Sequence, residues 1–186
     1  MASRSAIESG QLLLAEPFMI DPNFRRTAIL LCEHDKEGSL GLILNRPVGI
    51  RITDVVAEFP YFNAEVFYGG PVHGDSLHFI HNLGDLLEDS LKVADGVWWG
   101  GDFDSLKFLI SNELITPDRI RFFIGCAGWS GGQLDEEMEG NSWINVPMHA
   151  NYAFRTDPAE LWSMAMYNQG NQYEIIAEIP EYSAWN

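Results

Sequence analysis

Residues 119–134 of this 186-residue chain read RIRFFIGCAGWSGGQL, and the other elements are interpreted outward from this segment. Its first half is an apolar run with the character of a buried strand. The run then breaks into glycines, and residues 132–139 predict a short helix whose acidic first turn suits the positive end of the helix dipole. This pattern predicts a globular domain that combines strands and helices.

Composition restricts the classes of function. A length of 186 residues fits one domain with a substantial core. The chain has 27 acidic and 11 basic residues, which gives a formal net charge of −16. Such a surface repels phosphate backbones and anionic lipid headgroups. We therefore expect no direct contact with nucleic acid and no binding to membrane surfaces.

The two cysteines and the lack of an apolar targeting segment indicate the cellular compartment. Cys32 and Cys126 each lie in an apolar run, where an unpaired cysteine behaves as a small hydrophobic residue in a reducing environment. The first ten residues lack the apolar run of a signal peptide, and no later segment has the length of a membrane span. We expect free core thiols and a cytoplasmic protein.

Hydrophobic periodicity, capping residues and turn residues predict the remaining elements. The predicted strands are residues 11–15, 27–34, 40–45, 65–68, 77–81, 90–93, 97–99, 143–146, 151–155 and 173–179. The predicted helices are residues 52–59, 103–114 and 132–139, with a further helix starting at Pro158. Strands 27–34 and 40–45 form a hairpin, because a turn that contains glycine separates them. We find no internal repeat, linker or second domain.

Gly128-Trp129-Ser130-Gly131-Gly132 matches the nucleophile elbow of α/β hydrolases and lies between a strand and a helix, as the elbow requires. Such a hydrolase also needs a later acid and then a histidine. His149 is the only later histidine, and it follows Ser130 by only 19 residues. The acidic helix would also oppose an oxyanion. We therefore assign no catalytic residue, and a hydrolase that uses Ser130 or a histidine remains the alternative.

The histidines near residue 78 raise the possibility of a metal site. His73, His78 and His81 lie close together in sequence, with Asp75 between the first two. In a strand, however, His78 and His81 point to opposite faces and cannot bind the same ion. We predict no metal and no cofactor, and we expect His81 to hydrogen-bond a loop.

Polar residues at strand ends indicate a candidate cleft. Glu33 and His34 end one strand of the hairpin, and Asn45 and Arg46 end the other. Glu33 lies near the turn and Arg46 near the open end, about 14 Å away at ~3.4 Å per residue, so the two cannot act as an acid-base pair. The structural alternative is that Arg46 satisfies backbone carbonyls or an acidic neighbour. Separately, the adjacent Trp98 and Trp99 indicate either core packing or a surface for a protein partner.

Taken in order, these motifs resemble the AlgH/YqgE family of small bacterial proteins. The residues that carry the resemblance are Pro17, Asp21-Pro22-Asn23-Phe24, Cys32-Glu33-His34, Gly38, Gly41, Asn45-Arg46-Pro47, Tyr68-Gly69-Gly70-Pro71-Val72, His81, Gly128-Trp129-Ser130-Gly131-Gly132-Gln133-Leu134 and Asn141-Ser142-Trp143. The resemblance spans about residues 10–170 of a single domain, residues 1–186, and leaves residues 171–186 as a C-terminal extension.

The resemblance implies an α+β fold with a curved, mostly antiparallel or mixed, partly barrel-like sheet flanked by helices. The family has no established biochemical activity, so the resemblance leaves open whether the protein is an enzyme. Its description as a transcriptional regulator comes from an association with exopolysaccharide production.

We therefore expect a non-catalytic binding or regulatory protein that contacts an unknown protein or a small ligand, with its oligomeric state open. The candidate ligand-binding residues are Glu33, His34, Asn45, Arg46, His81, Trp129, Ser130 and Gln133.

Overall fold

The computed structural model describes residues 6–170 and 172–180, which contain ten β-strands and six α-helices. The strands are β1 Gln11–Ala15, β2 Ala28–His34, β3 Gly38–Ile43, β4 Pro47–Arg51, β5 Glu65–Tyr68, β6 Val72–His81, β7 Leu91–Ala94, β8 Val97–Trp99, β9 Ile120–Ser130 and β10 Trp143–Pro147. The helices are α1 Ile52–Val55, α2 Phe103–Ser111, α3 Gln133–Glu139, α4 Ala150–Phe154, α5 Pro158–Tyr167 and α6 Gln172–Ala177.

One curled sheet contains all ten strands. Its main path runs β10-β1-β2-β3-β9-β6-β8-β7, and β4 and β5 form a branch. Every pairing is antiparallel except that of β5 with β9, which is parallel. The predicted α+β fold with a curved, partly barrel-like sheet is therefore confirmed.

Strand β9 is the centre of this sheet. One edge of β9 pairs with β5 through its first half and with β3 through its second half. The other edge pairs with β6 along most of the strand. Because most side chains of β9 are covered on both faces of the sheet, its sequence is an almost continuous apolar run.

The sheet curls until its two ends approach each other beside Gly10. A Cβ atom added at Gly10 would lie 2.1 Å from the carbonyl oxygen of Val93 in β7, while Gly10 immediately precedes β1. The positive φ of 86° at Gly10 is also a conformation that glycine adopts without steric cost. Only glycine permits this close contact between the first and last parts of the sheet.

Both faces of the sheet are covered, so consecutive residues of β2 belong to different clusters. Leu30 packs in the cluster that contains Trp162 of α5, and Ile29 packs with Leu134 of α3. A third cluster joins α2 to the first half of β9. The longest described helix, α5, has 10 residues, and no helix within residues 6–170 and 172–180 is long and apolar enough to span a membrane.

Several predicted elements match the structure closely. Strands β1, β5 and β8 have the predicted bounds, and the hairpin of β2 and β3 is confirmed. Asp102 caps α2 by accepting a hydrogen bond from Ser105 N at 2.7 Å. Asp157 caps α5 in the same way, with Pro158 at the first helical position.

Two predicted strands are wrong. Residues 151–155 belong mainly to α4, whose buried residues Tyr152 and Ala153 pack in the cluster that contains Trp162. Residues 173–179 contain most of α6, whose Tyr173, Ile176 and Ala177 pack against the core at helical spacing. In both segments a short apolar pattern fits either element, and packing against the sheet selects the helix.

Other boundaries differ from the prediction. Helix α1 stops at Val55 because Val56 is extended, and α2 stops at Ser111. Strand β4 was not predicted, since all five of its residues are exposed and include proline and glycine. Strand β9 continues through Gly125 and Gly128, so the chain leaves the sheet only after Ser130.

Candidate functional site

The eight candidate residues lie in three separate places. Glu33, His34, Trp129, Ser130 and Gln133 surround the turns at one end of the β2–β3 hairpin. Asn45 and Arg46 follow β3 at the opposite end of the hairpin. His81 is the last residue of β6. The structure therefore does not bring the eight residues together into one cleft.

Glu137 of α3 organises the turn that follows β9. One oxygen of its carboxylate accepts hydrogen bonds from the indole N–H of Trp129 at 2.9 Å and of Trp143 at 2.8 Å. The other oxygen accepts a bond from Gln133 Nε2 at 2.9 Å. This set of contacts, the Glu137 network, holds β9, α3 and β10 together, so the candidates Trp129 and Gln133 have structural partners.

Ser130 belongs to the edge of the same network. Its backbone N–H donates to Gln133 Oε1 at 3.0 Å, and its hydroxyl donates to the same oxygen at 3.3 Å. Gln133 is thus its hydrogen-bonding partner among the described residues. The adjacent Gly131 is required for packing, because an added Cβ would lie 2.4 Å from the carbonyl oxygen of Lys36 in the hairpin turn. The motif closes a turn, and the part of the chain that the structure describes places no imidazole against the Ser130 hydroxyl.

A different serine contacts an imidazole. His34 Nδ1 lies 2.7 Å from Ser39 Oγ, while its Nε2 lies 4.0 Å from Asp135 Oδ1, too far for a hydrogen bond. His34 and Asp135 border an open depression beside Gly131 and Gly132, but Ser39 does not line it. Ser39 and His34 are therefore in contact, but Asp135 is not hydrogen-bonded to the imidazole, and the contacts of a serine, histidine and acid triad are incomplete. Glu33 is exposed at a bulge in β2.

His81 is fully buried and hydrogen-bonded on both sides of its ring. Nδ1 accepts a bond from Leu83 N at 3.2 Å, so Nε2 carries the proton and donates to the carbonyl oxygen of Gly100 at 2.9 Å. Burial lowers the pKa of His81, and the bond to Gly100 opposes this effect. The imidazole holds a loop in place, as predicted, and lies apart from the other candidates.

The neighbouring histidine and the paired tryptophans are used in packing. His78 stacks on Trp99 with ring centroids 6.0 Å apart, and His81 stacks on Trp98 at 6.5 Å. The two pairs lie on opposite faces of β6, as alternation predicts. Within residues 6–170 and 172–180, no group of three or more histidine, cysteine, aspartate or glutamate residues is arranged to hold a metal ion.

Asn45 has a structural role at the open end of the hairpin. Its Oδ1 accepts a hydrogen bond from Ala28 N at 2.9 Å, and its Nδ2 donates to the carbonyl oxygen of Arg26 at 2.9 Å. These bonds join the start of β2 to the end of β3. They also fix the position of Arg46, the next residue.

Arg46 and Arg26 line one cavity, which we call the arginine pocket. It has a volume of about 410 Å³ and lies between the hairpin end, the start of α5 and residues 177–180. Arg46 Nη2 donates to the carbonyl oxygen of Arg25. The guanidinium of Arg26 lies 4.5 Å from the ring centroid of Trp162 and donates to the carbonyl oxygen of Ile179 at 2.6 Å.

Among the described residues, both guanidinium groups have N–H donors that form no hydrogen bond. Each has five N–H groups, and one hydrogen bond from each is found among the described residues. Neither Arg26 nor Arg46 forms an ion pair with a carboxylate in this part of the chain, although Glu178 also lines the pocket. The arrangement can bind an anionic group by charge-assisted hydrogen bonds.

The sequence indicated Arg46 but not its partners in the pocket. Arg26 is 153 positions from Ile179, and Trp162 is far from both in sequence. The pair Arg25 and Arg26 before β2 was the available signal, since basic residues are scarce in this chain.

Comparison with known proteins places the chain in a family. Residues 12–174 match the family model described as AlgH-like, DUF179. The chain belongs to the AlgH-like family. The resemblance stated from the sequence is therefore confirmed, and the match covers most of the strands and helices described above.

Individual relatives of this AlgH-like chain match over nearly full length. A UPF0301 protein of Chlorobium limicola is 39% identical over 180 residues, which are 97% of this chain and 96% of the relative. A UPF0301 protein of Cytophaga hutchinsonii is 35% identical over 175 residues, 94% of this chain and 96% of the relative.

Two solved structures share the fold. The solution structure of the AlgH protein from Pseudomonas aeruginosa has a TM-score of 0.74 and 27% identity, and covers 98% of this chain and 99% of its own. A crystal structure of a Corynebacterium diphtheriae protein has a TM-score of 0.77 at 22% identity, and covers 95% of each chain. The latter supports the fold alone.

Proposed function

We propose that this AlgH-like protein is a non-catalytic binding protein that takes a small anionic ligand in the arginine pocket. The observation that carries the proposal is the pair of guanidinium groups, Arg26 and Arg46, that line one cavity without a carboxylate partner among the described residues. Arg26 and Arg46 bring together two of the 11 basic residues of a chain that has 27 acidic residues.

The shape and composition of the pocket fit a small molecule. Its volume of about 410 Å³ lies within the ~300 to 1,000 Å³ that is typical of ligand pockets. The indole of Trp162 forms a flat apolar wall beneath the Arg26 guanidinium, which restricts that group to few orientations. A planar carboxylate or a phosphate matches the donor geometry of arginine.

The proposed role is indirect with respect to nucleic acid. The net charge of −16 opposes a DNA or RNA backbone, so any regulatory effect would be transmitted through the small ligand or a protein partner. We place the protein in the cytoplasm, where its two buried cysteines stay reduced. A mobility shift on duplex DNA at low salt, where electrostatic binding is strongest, tests this part of the proposal.

The test of the pocket is a titration with inorganic phosphate and citrate at constant ionic strength, followed by two-dimensional NMR of the full chain. We expect saturable shifts of amides near Arg26, Arg46 and Trp162. Because a charge-assisted hydrogen bond contributes about 1.5 to 3 kcal/mol, Arg46→Met and Arg26→Met should each weaken the binding at least about tenfold.

Lys36→Met is the matched control. It also removes one positive charge, but Lys36 is exposed in the hairpin turn at the other end of β2 and β3. Arg46→Lys keeps the positive charge at this position. Binding that Arg46→Lys retains and Arg46→Met loses is therefore due to the charge. Phosphate and citrate binding that is equal in Arg46→Met, Arg26→Met and Lys36→Met, or absent from the unmodified protein at ~10 mM, would contradict the proposal.

A further inference from the structure

A second cavity contains a half-buried cation together with carboxylates. It has a volume of about 310 Å³ and is lined by residues of β5, β9, α4 and the start of α5. Arg121 of β9 lines it, and so do Glu65 of β5 and Asp118. It shares Pro158 with the arginine pocket but contains neither of the two arginines of that pocket.

The guanidinium of Arg121 is held rigidly with donors to spare. It lies 4.3 Å from the ring centroid of Phe67, and its Nη1 donates to the carbonyl oxygen of Leu44 at 3.0 Å. No other side-chain hydrogen bond and no ion pair of Arg121 is found among the described residues. A cation fixed by stacking and by one carbonyl is preorganised for an anionic group.

The electrostatics of the cavity agree with this geometry. Burial lowers the pKa of Arg121 to about 10, and the nearby Glu65 carboxylate opposes that effect without forming an ion pair. The cation therefore persists at neutral pH in a place where water solvates it poorly. Its charge is only partly compensated by the protein.

The two carboxylates differ in availability. The pKa of Asp118 is lowered, mainly by a hydrogen bond with the Thr116 side chain. The positive charges of Arg119 and Arg155 lower it further. Glu65 is exposed, and the described residues include no hydrogen bond to its side chain and no ion pair. Arg121 and Glu65 thus offer one positive and one negative group that face the same space without touching.

We propose that this cavity binds a free α-amino acid, with Arg121 holding the carboxylate, Glu65 holding the ammonium group and the Phe154 side of the cavity receiving an apolar side chain. A purely anionic ligand could pair with Arg121 but would leave Glu65 uncompensated, and a purely cationic ligand could pair with Glu65 but would leave Arg121 uncompensated. A zwitterion bridges the two groups. The volume is at the small end of the range for ligand pockets and suits a molecule of this size.

The inference goes beyond the proposed anion site and does not depend on it. The experiment is a two-dimensional NMR titration of the full chain with L-phenylalanine, 3-phenylpropanoate and 2-phenylethylamine. The second compound lacks the ammonium group and the third lacks the carboxylate. We expect L-phenylalanine to shift the amides around Ala64, Arg121 and Ala153 saturably, and the other two compounds to bind at least about tenfold more weakly.

Two variants test which side chain binds the ammonium group and which binds the carboxylate. Glu65→Gln changes an exposed side chain and should reduce binding of L-phenylalanine to the level of 3-phenylpropanoate. Arg121→Met should abolish binding of both carboxylates, with circular dichroism as the check that the variant is folded. If Arg121→Met does not fold, the Glu65→Gln result alone decides.

The outcomes also separate the two sites. Phosphate binding should be unchanged in Glu65→Gln, and L-phenylalanine binding should be unchanged in Arg46→Met. No saturable shift with L-phenylalanine at ~20 mM, equal binding of 2-phenylethylamine, or full binding by Glu65→Gln would each overturn the amino-acid site and leave the anion site unaffected.

Discussion

The imidazole of His81 is neutral in the fold because both ring nitrogens have fixed roles. Nε2 donates to Gly100 and Nδ1 accepts from Leu83, so a second proton would break the latter bond. The ring is also completely buried, which is the main reason that its pKa lies below the ordinary value of 6.5. His78 has a lowered pKa for the same main reason, with His73 contributing.

A prediction about pH follows from these two histidines. Because the unfolded chain binds the proton at a higher pH than the folded chain, the stabilising contribution is fully present above about pH 6.5 and is lost as the pH falls below it. We expect the free energy of unfolding to decrease between pH 7 and pH 5, and to decrease less steeply in His81→Gln. Urea denaturation at a series of pH values measures both slopes.

The companion measurement is the double variant His78→Gln/His81→Gln, whose slope should be shallower than that of His81→Gln alone. Part of the pH dependence should remain in His81→Gln, because burial also lowers the pKa of His78. An identical slope in His81→Gln and the unmodified protein would show that His81 does not contribute.

At the scale of elements, the Glu137 network links strand β9, helix α3 and strand β10 through one carboxylate. Trp129 is only 6% exposed and Trp143 only 4%, so water cannot replace a lost acceptor for their indole N–H groups. Removing the carboxylate would leave two donors without partners, and burial makes such donors costly.

We predict that Glu137→Ala lowers the free energy of unfolding by about 2 to 4 kcal/mol, from the loss of charge-assisted bonds and the unpaired donors. Glu136→Ala is the matched control, because Glu136 is exposed in the same helix and should change stability by less than about 0.5 kcal/mol. Urea unfolding followed by circular dichroism gives both values. A difference of less than about 0.5 kcal/mol between the two variants would contradict the role of the network.

Elements with strong local signals could be predicted from sequence, and elements selected by packing could not. The hairpin of β2 and β3 combines two apolar runs with a turn that contains glycine, so local chemistry and tertiary structure agree. Helices α4 and α6 are short, and their patterns fit a strand equally well until burial against the sheet is known. Strand β4 buries no residue and leaves no hydrophobic pattern to detect.

The candidate site was predictable to the same limited extent. Arg46 and Asn45 stand out because polar residues follow a buried strand. The contact of Arg26 with Ile179 joins residues 153 positions apart, and the position of Arg121 beside Glu65 depends on the parallel pairing of β5 with β9. No local pattern encodes either arrangement, because both arise only when segments that are distant in sequence pack together.

For the molecule as a whole, the reactivity of the two cysteines measures how accessible the core is to solvent. Cys32 is 7% exposed and Cys126 is 1% exposed, and both belong to the cluster beneath α5. Burial raises the pKa of both thiols, and Glu33 adds to the effect at Cys32. The reactive thiolate is therefore scarce in the folded state.

We predict that a disulfide exchange reagent labels neither cysteine rapidly in native buffer and that labelling accelerates with urea along the unfolding transition. Ser111→Cys provides an accessible thiol for comparison, because Ser111 is exposed at the end of α2. Absorbance of the released thiol follows the reaction. Rapid labelling of the unmodified protein with unchanged circular dichroism would contradict the prediction, because it would show that a cysteine is accessible in the folded state.

The position of β9 in the chain has a consequence for biosynthesis. Its partners β3, β5 and β6 are all complete by residue 81, yet the strand that they share begins only at residue 120. A nascent chain that has left the ribosome up to α2 therefore exposes an unpaired edge on each of β3, β5 and β6. These edges can pair only after β9 has been synthesised. During that interval the growing polypeptide is prone to mispairing with other chains, and it offers a binding target for chaperones.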